Sequence, residues 1–316
     1  MDSEERPVCA ESIHACCVDH FALNGDTRVT FHVQGMHDNY LVQSHDKKFI
    51  FRCYRSGLRS VEAIQFELAL LDALRGAGCP VSAPLATREG LLSVQLNTQI
   101  GALFPFAPGA APAAALSHEQ ARLLADTVAK MHQTADGIAL PYARQELNLE
   151  HLLDDSLAAV APFLNQDQRE YLNTLSVTIH QRMPHLPKAA PCFGICSGDI
   201  NPSNFHLSDR GQITLFDFDQ CGYGWRAFEI GKYLSSIHHL EQYPVLRDGF
   251  LQAYAAVRPL SAQELEAVPL FLLASLIWVM AINVRYVNLT GAVYRTPAFW
   301  ERKLAALRAQ AALILP

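Results

Sequence analysis

The feature that most constrains the fold is a stretch at residues 104–115 that separates two differently patterned parts of the chain. It holds prolines and a glycine, which continue neither a strand nor a helix. We therefore expect a hinge at residues 104–109. The chain is predicted to form one domain at residues 1–103 and a second at residues 110–316.

The part before the hinge has the pattern of an antiparallel sheet. Short runs of β-branched and aromatic residues at 29–33, 39–43 and 48–54 alternate with turn-forming residues. This pattern predicts a meander of strands. Apolar residues at helical spacing between Val61 and Leu74 predict a single helix, after which the strand pattern resumes.

The part after the hinge is mostly helical, because apolar residues recur three and four positions apart in five segments. These segments are 119–132, 147–160, 166–182, 227–238 and 262–287. A hairpin is expected at 205–207 and 213–216, where two strand-like runs flank a Ser-Asp-Arg-Gly turn. The predicted fold class is α+β and bilobal, with a small antiparallel β-rich N-lobe carrying one main helix and a larger helical C-lobe.

Composition excludes several kinds of protein. The 316 residues are 50% hydrophobic, which is enough to bury a sizeable core. A net charge of −6 provides no basic field, so no nucleic-acid partner is predicted. The first ten residues lack the basic and apolar regions of a signal peptide, which favours a cytoplasmic protein. The apolar run at 267–282 is shorter than the roughly 20 residues that cross a bilayer, so we expect a buried helix and no membrane association.

The eight cysteines are irregularly spaced, which favours reduced thiols over a disulfide framework. Cys9, Cys16 and Cys17 lie near His14 and His20. Their spacing matches no zinc pattern and lacks a second half, so a metal site there is not favoured.

Three polar residues form the most informative motif. Asp199 and Asn204 make an Asp-x-x-x-x-Asn pair, Pro202 prevents a helix between them, and the hairpin returns the chain to Asp217. Phosphoryl transfer from ATP requires a carboxylate that orients the attacking hydroxyl, and oxygen ligands for Mg²⁺ on the phosphates. Each residue alone fits an ordinary turn or strand end. Their joint order favours a kinase.

This motif resembles that of the kinase-like superfamily of aminoglycoside phosphotransferases, choline kinases, homoserine kinases and stress-response kinases. Residues 197–204, Ser-Gly-Asp-Ile-Asn-Pro-Ser-Asn, match its His-Gly-Asp-x-x-x-x-Asn, and Asp-Phe-Asp follows at 217–219. Gly-Tyr-Gly-Trp-Arg-Ala at 222–227 is similar to the homoserine-kinase and stress-kinase branch. The resemblance covers most of the chain and implies a protein-kinase-like fold that uses ATP and Mg²⁺.

The resemblance also implies roles for single residues. Asp199 is similar to the catalytic base, and Asn204 and Asp217 are similar to the Mg²⁺ ligands. The chain departs from the superfamily at Ser197, which replaces a histidine, and at Glu229, which replaces an aspartate that braces the catalytic loop.

In the N-lobe, Arg52 occupies the position of the phosphate-binding lysine of the superfamily. Its expected partner is Glu67, preferred to Glu62 because it lies on the inward face of the helix. The turn after the first strand and the hinge supply the other expected nucleotide contacts. These are Gly35, Asn39, Phe104 and Phe106.

Other functions fit less well. Gly222-x-Gly224-x-x-Ala227 has the form of a dinucleotide fingerprint, but Asp217 and Asp219 before it would repel a pyrophosphate. The spacing around Ser197 does not make a nucleophile elbow, which argues against a hydrolase. A catalytically degenerate kinase fold that binds a nucleotide or a protein is the main alternative, and an aminoglycoside or Ser/Thr protein kinase is the second.

Charge along the C-terminal helices bears on the acceptor. From residue 267 to the end, Glu301 is the sole acidic residue among several basic ones, whereas an aminoglycoside would require several carboxylates. We therefore predict a small hydroxyl-bearing acceptor that is neutral or carries a carboxylate, such as a hydroxy amino acid or a sugar-like metabolite. Arg285 is the expected anion clamp, with Asn201 and Asp219 as further acceptor contacts.

Overall fold

A computed structural model describes residues 8–112, 116–286, 293 and 296–315. The chain forms two compact units. The first comprises the residues up to Ala110 together with Ile138–Arg144 and Phe205–Phe216, and the second comprises the remainder. The α+β fold class is confirmed, because an antiparallel sheet occupies the first part of the chain and helices dominate the second. The hinge and the domain bounds stay predictions.

The first unit is built on a five-stranded antiparallel sheet of order β1-β2-β3-β5-β4. The strands are β1 Arg28–Gln34, β2 Asp38–Ser44, β3 Lys47–Tyr54, β4 Val94–Leu96 and β5 Gln99–Pro105. Every second residue of β2 is buried, which is the alternation expected of a sheet with one covered face. The meander predicted from the sequence therefore forms, and it continues into β5 beside β3.

Two helices belong to this unit, α1 at Ala10–Phe21 and α2 at Val61–Gly76. Sequence patterning does not predict α1. Ile13, Cys16 and Cys17 of this helix are buried against the sheet, so these cysteines act as small apolar residues. Burial raises the pKa of Cys16 to about 11 and that of Cys17 to about 12.

The predicted hairpin forms from β6 at Phe205–Leu207 and β7 at Ile213–Leu215. It belongs to the first unit because the Ser82 amide donates to the Leu215 carbonyl and Leu207 pairs with Ala110. Gly109 makes this approach possible, since a Cβ there would lie 2.1 Å from the Leu207 carbonyl oxygen. The glycine of the predicted hinge is thus required for backbone packing.

The second unit is helical, with a two-stranded sheet of β8 Phe193–Cys196 and β9 Gly222–Trp225. Its helices are α3 His118–Ala135, α4 Asp155–Val160, α5 Gln166–Arg182, α6 Arg226–Ile237, α7 Tyr243–Val257, α8 Ala262–Arg285 and α9 Pro297–Ile314. The segment predicted as one helix at 147–160 instead begins with a π-helical turn at Glu150–Asp154.

Helix α8 is the apolar segment singled out in the sequence. It is long and apolar enough to cross a membrane, but 72% of its most apolar window is buried inside the protein. The prediction of a buried core helix is therefore confirmed, and the cytoplasmic location stays a prediction. Helix α8 packs along α6, where Gly231 allows close contact because a Cβ there would lie 2.8 Å from the Leu272 backbone nitrogen.

Candidate active site

A glycine fixes the loop that follows β8. Gly198 has φ +84°, and a Cβ at this position would lie 2.0 Å from the carbonyl oxygen of Gln220. Only glycine fits such a close approach in the left-handed region. The loop at 197–204 is consequently held against the turn that contains Gln220, and this contact brings Asp199 to the segment that begins at Asp217.

Asparagine side chains shape the same loop around Asp199. The Asn204 amide donates to the Asp199 carboxylate at 3.1 Å and to its backbone carbonyl at 2.9 Å. Asn201 donates to that carbonyl at 3.1 Å. Since the Asn204 nitrogen is used in this way, its amide oxygen is the atom that can ligate a cation.

Asp217 adopts a left-handed backbone conformation with φ +61°. Aspartate tolerates this conformation better than most residues, and backbone of this kind concentrates at functional sites. Asp219, two residues later, is buried and accepts a hydrogen bond from its neighbour Gln220 at 3.1 Å. Asp217 and Asn204 together offer a carboxylate and an amide oxygen, which are ligands that Mg²⁺ prefers.

A buried carboxylate holds the loop at residues 197–204 through hydrogen bonds. Glu229 of α6 accepts hydrogen bonds from the Ser197 amide at 2.8 Å, the Ser197 hydroxyl at 2.6 Å and the Gly198 amide at 2.7 Å. His132 of α3 contacts the same carboxylate at 2.8 Å. Burial would raise the pKa of Glu229, but the hydrogen bonds from His132 and Ser197 lower it overall. Ser197 therefore retains the bracing contact despite replacing a histidine.

His132 is neutral in this network. A carboxylate only accepts hydrogen bonds, so the Nε2 of His132 donates to Glu229, and the Tyr254 hydroxyl donates to Nδ1 at 2.7 Å. Burial and the nearby Arg226 guanidinium lower the pKa of His132 to about 4. Cys196 also lies within 4.8 Å of these groups, but hydrogen bonds already satisfy the histidine and the carboxylate, and this argues against a metal site.

Sequence reasoning missed one residue of the site. Lys232 of α6 pairs with Asp199 at 2.5 Å, and its side chain is 4% exposed. The sequence holds a signal for it, because Arg226, Glu229 and Lys232 are three charged residues spaced by three in an otherwise uncharged helix. All three are buried on the face that contacts β8 and the loop. Such spacing places them on one side of a helix.

In the first unit, the predicted ion pair is present. Arg52 of β3 lies 3.1 Å from Glu67 of α2, whose other oxygen accepts a hydrogen bond from the Tyr54 hydroxyl at 3.2 Å. Asn39 accepts from the Arg52 side chain at 3.4 Å, and the guanidinium lies 5.6 Å from the centre of the Phe104 ring. The structure therefore brings four of the predicted nucleotide contacts together around Arg52.

Two other predicted contacts lie apart from this cluster. Gly35 is exposed in the turn between β1 and β2, where its amide donates to the His37 carbonyl. The Phe106 amide donates to the Lys48 carbonyl, and its ring packs near His206. Their contact with a nucleotide stays a prediction.

The second unit contains a cavity of about 620 Å³ next to Asp199. Asn201 and Lys232 also line it, as do side chains from α8 and α9. Arg285 and Asp219 do not line this cavity. Arg285 is exposed and donates to the Asp155 carbonyl at 2.8 Å, so the structure does not bring the expected anion clamp to the base.

Comparisons with known proteins agree with this geometry. The sequence model of the phosphotransferase enzyme family matches residues 29–268. An uncharacterized protein of Synechocystis sp. is 35% identical over 295 residues, covering 92% of this chain and 82% of that protein. A homoserine kinase of Polaromonas naphthalenivorans is 25% identical over 241 residues, covering 73% of each protein.

Solved structures show the same fold at low sequence identity. An amicoumacin kinase in complex with AMP-PNP, Ca²⁺ and amicoumacin superposes with a TM-score of 0.80 at 19% identity, covering 97% of this chain and 94% of that one. A microcompartment-associated aminopropanol kinase superposes with a TM-score of 0.78 at 19% identity, covering 96% of each chain.

Proposed function

The chain belongs to the phosphotransferase enzyme family, and from this premise we propose that it transfers the γ-phosphate of ATP to a hydroxyl group of a small molecule in the presence of Mg²⁺. The arrangement of Asp199, Asn204 and Asp217 carries the proposal. Gly198 packs the loop of Asp199 on the segment after Asp217, and Asn204 is hydrogen-bonded to the base. These residues supply the carboxylate and oxygen ligands that the reaction requires.

Each residue has a defined role in the proposed reaction. The Asp199 carboxylate accepts the proton of the acceptor hydroxyl as the new oxygen–phosphorus bond forms and ADP leaves with the electrons of the broken bond. Lys232 holds this carboxylate in place from the buried side. Asp217 and the Asn204 amide oxygen would hold Mg²⁺, which neutralises charge on the phosphates when bound.

Two departures from the superfamily pattern, at Ser197 and Arg52, motivate the degenerate-kinase alternative. The contacts of both residues favour an active enzyme. Ser197 still bonds Glu229, so the loop keeps its brace. Arg52 still pairs with Glu67 and keeps, at the position of the lysine, a positive charge that suits phosphate. We therefore favour an active enzyme over a binding module.

An assay of ADP formation with Mg²⁺-ATP tests the proposed function. The acceptor panel comprises hydroxy acids, hydroxy amino acids, sugars, choline and aminoglycosides. Acceptor-dependent ADP formation that disappears in Asp199→Asn supports the proposal. ATP binding without turnover of any acceptor supports the binding-module alternative.

Replacing Arg52 by Ala is expected to raise the KM for ATP by about 10- to 100-fold, since a hydrogen bond between charged groups contributes roughly 1.5–3 kcal/mol. Glu67→Gln should raise the KM for ATP less, because this substitution weakens only the positioning of Arg52. Steady-state kinetics over a range of ATP concentrations measure both effects. Arg28→Ala, at an exposed arginine in the same sheet, is the control, and an unchanged KM in Arg52→Ala would exclude the phosphate role.

Asp217→Asn is expected to remove most of the thermal stabilisation that Mg²⁺-ATP gives to the protein. The substitution keeps a residue that tolerates φ +61°, so it tests the charge without straining the backbone. A ligand that binds only the folded state stabilises it by RT ln(1 + L/Kd) at free ligand concentration L, so weaker binding at the same ligand concentration gives a smaller rise in melting temperature. The measurement is the shift in Tm with and without Mg²⁺-ATP, compared with Asp209→Asn at an exposed aspartate. An undiminished shift would contradict the metal-binding role.

A further inference from the structure

The cavity beside Asp199 has an excess of positive charge. Asp199 is the one carboxylate among the described residues that line it, and Lys232 neutralises this group at 2.5 Å. Lys303 of α9 and two histidines, His238 and His239, line the same space. Within the described part of the chain, Lys303 has no carboxylate within ion-pair distance. The lining therefore favours an anion.

The electrostatics of His238 support this assignment. Its Nδ1 donates to the Ser235 carbonyl at 2.7 Å, which leaves Nε2 as the other polar atom of the ring. Burial lowers the pKa of His238, and the neighbouring His239 and Lys303 lower it further. The positive potential of His239 and Lys303 that contributes to this lowering would stabilise an anionic ligand at the same place.

Apart from Asn283 and Lys303, the wall of the cavity that α8 and α9 form is apolar. Helix α8 contributes Leu276, Val279 and Met280, and α9 contributes Ala306 and Leu307. Among the described residues of the lining, an ammonium group finds no carboxylate other than Asp199, which is already paired with Lys232. Aliphatic carbon suits this wall, and a volume of about 620 Å³ lies in the range of small-molecule sites.

Helix geometry gives the axial spacing between the positions of Lys232 and His238. His238 follows Lys232 by six positions on a helix that ends at Ile237 with His238 still in helical conformation, so the two positions are about 9 Å apart along the axis. Since a carbon–carbon bond is about 1.5 Å long, an extended chain of about six carbons has a comparable length and serves as the probe.

From these observations we infer that the acceptor is a hydroxy acid, whose carboxylate binds at Lys303, His238 and His239 while its hydroxyl lies at Asp199. The inference rests on the proposed function and narrows its substrate class. It replaces Arg285 by Lys303 as the anion-binding cation, and it excludes acceptors whose charged group is an ammonium.

Three compounds with the same chain and hydroxyl test the inference: 6-hydroxyhexanoate, its methyl ester and 6-amino-1-hexanol. We expect kcat/KM for the hydroxy acid to exceed that of the ester and of the amine by at least about tenfold, which is the effect of one charge-assisted contact. Lys303→Ala should raise KM for the acid about tenfold and leave the ester unchanged. Lys130→Ala, at an exposed lysine of α3, should leave the preference intact.

Calorimetric binding of the same compounds separates failure of the inference from failure of the proposed function, because binding requires no turnover. If the acid binds and Lys303→Ala weakens this binding, the inference is supported even when no ADP forms. In that case only the kinase assignment fails. Equal or tighter binding of the ester or the amine, or no binding of any of the three, overturns it. An unchanged preference in Lys303→Ala also overturns it.

Discussion

Replacing Asp199 by Asn is expected to lower kcat by about 10²- to 10⁴-fold, the range that a positioned general base contributes. The substitution keeps the size of the side chain and its contact with Asn204 while removing the proton acceptor. The KM for ATP should change little, because Asp199 contacts the acceptor and not the phosphates in the proposed reaction. The measurement is steady-state turnover, with Asp209→Asn as a matched control at an exposed site.

The variant has one foreseeable side effect, since it leaves the buried Lys232 ammonium without its carboxylate. An unpaired buried charge destabilises a protein. The double variant Asp199→Asn with Lys232→Met should regain thermal stability and remain inactive, which separates a loss of catalysis from a loss of folding. Near wild-type turnover in the single variant would contradict the assignment of the base.

The second large effect is expected in stability, for Glu229→Ala. Removing this carboxylate leaves the Ser197 and Gly198 amides, the Ser197 hydroxyl and His132 without their partner in a buried site. Breaking a buried charged network of this kind costs about 3–5 kcal/mol. Chemical denaturation measures the change in the free energy of unfolding, with Glu266→Ala at an exposed position of α8 as the control. A loss below about 1 kcal/mol would exclude the bracing role.

The same network gives stability a defined pH dependence. The pKa of His132 is lowered to about 4 and that of Glu229 is also lowered, so the folded protein binds fewer protons than the unfolded chain. Stability therefore rises with pH across the interval between these folded pKa values and the unfolded pKa of histidine near 6.5. We expect the wild type to lose stability as the pH falls from 6.5 to 4, and this slope should be shallower in the double variant His132→Asn with Glu229→Ala.

Much of the fold follows from local patterns in the sequence. Alternating runs predict β1 to β3, helical periodicity predicts α2, α3, α5, α6 and α8, and two strand-like runs around a turn predict the hairpin. Helices α7 and α9 lie outside the segments that the periodicity predicts. Helix α1 is not predicted from the sequence, and its buried residues include Cys16 and Cys17, which pack as apolar residues. The docking of the hairpin on the first unit is set by contacts such as Ser82 with Leu215, which no local pattern contains.

The site is predictable to the extent that its residues form a motif. The Arg52–Glu67 pair follows from helix phase, since the inward position of Glu67 can be read from its apolar neighbours. Lys232 and Lys303 belong to no motif, and their importance depends on which cavity they line. Arg285 shows the converse, because its position near the end of α8 predicts a place in the site, whereas its side chain donates to the Asp155 carbonyl and does not line the cavity.

Transfer of the γ-phosphate to a hydroxyl group is tested most directly by ³¹P NMR of a reaction with Mg²⁺-ATP and 6-hydroxyhexanoate, followed by the other acceptors of the panel. We expect the ATP resonances to be replaced by those of ADP together with a phosphomonoester signal of equal integral, and Asp199→Asn to show neither change. Unchanged ATP with every acceptor, or ADP accompanied only by inorganic phosphate, would contradict this transfer.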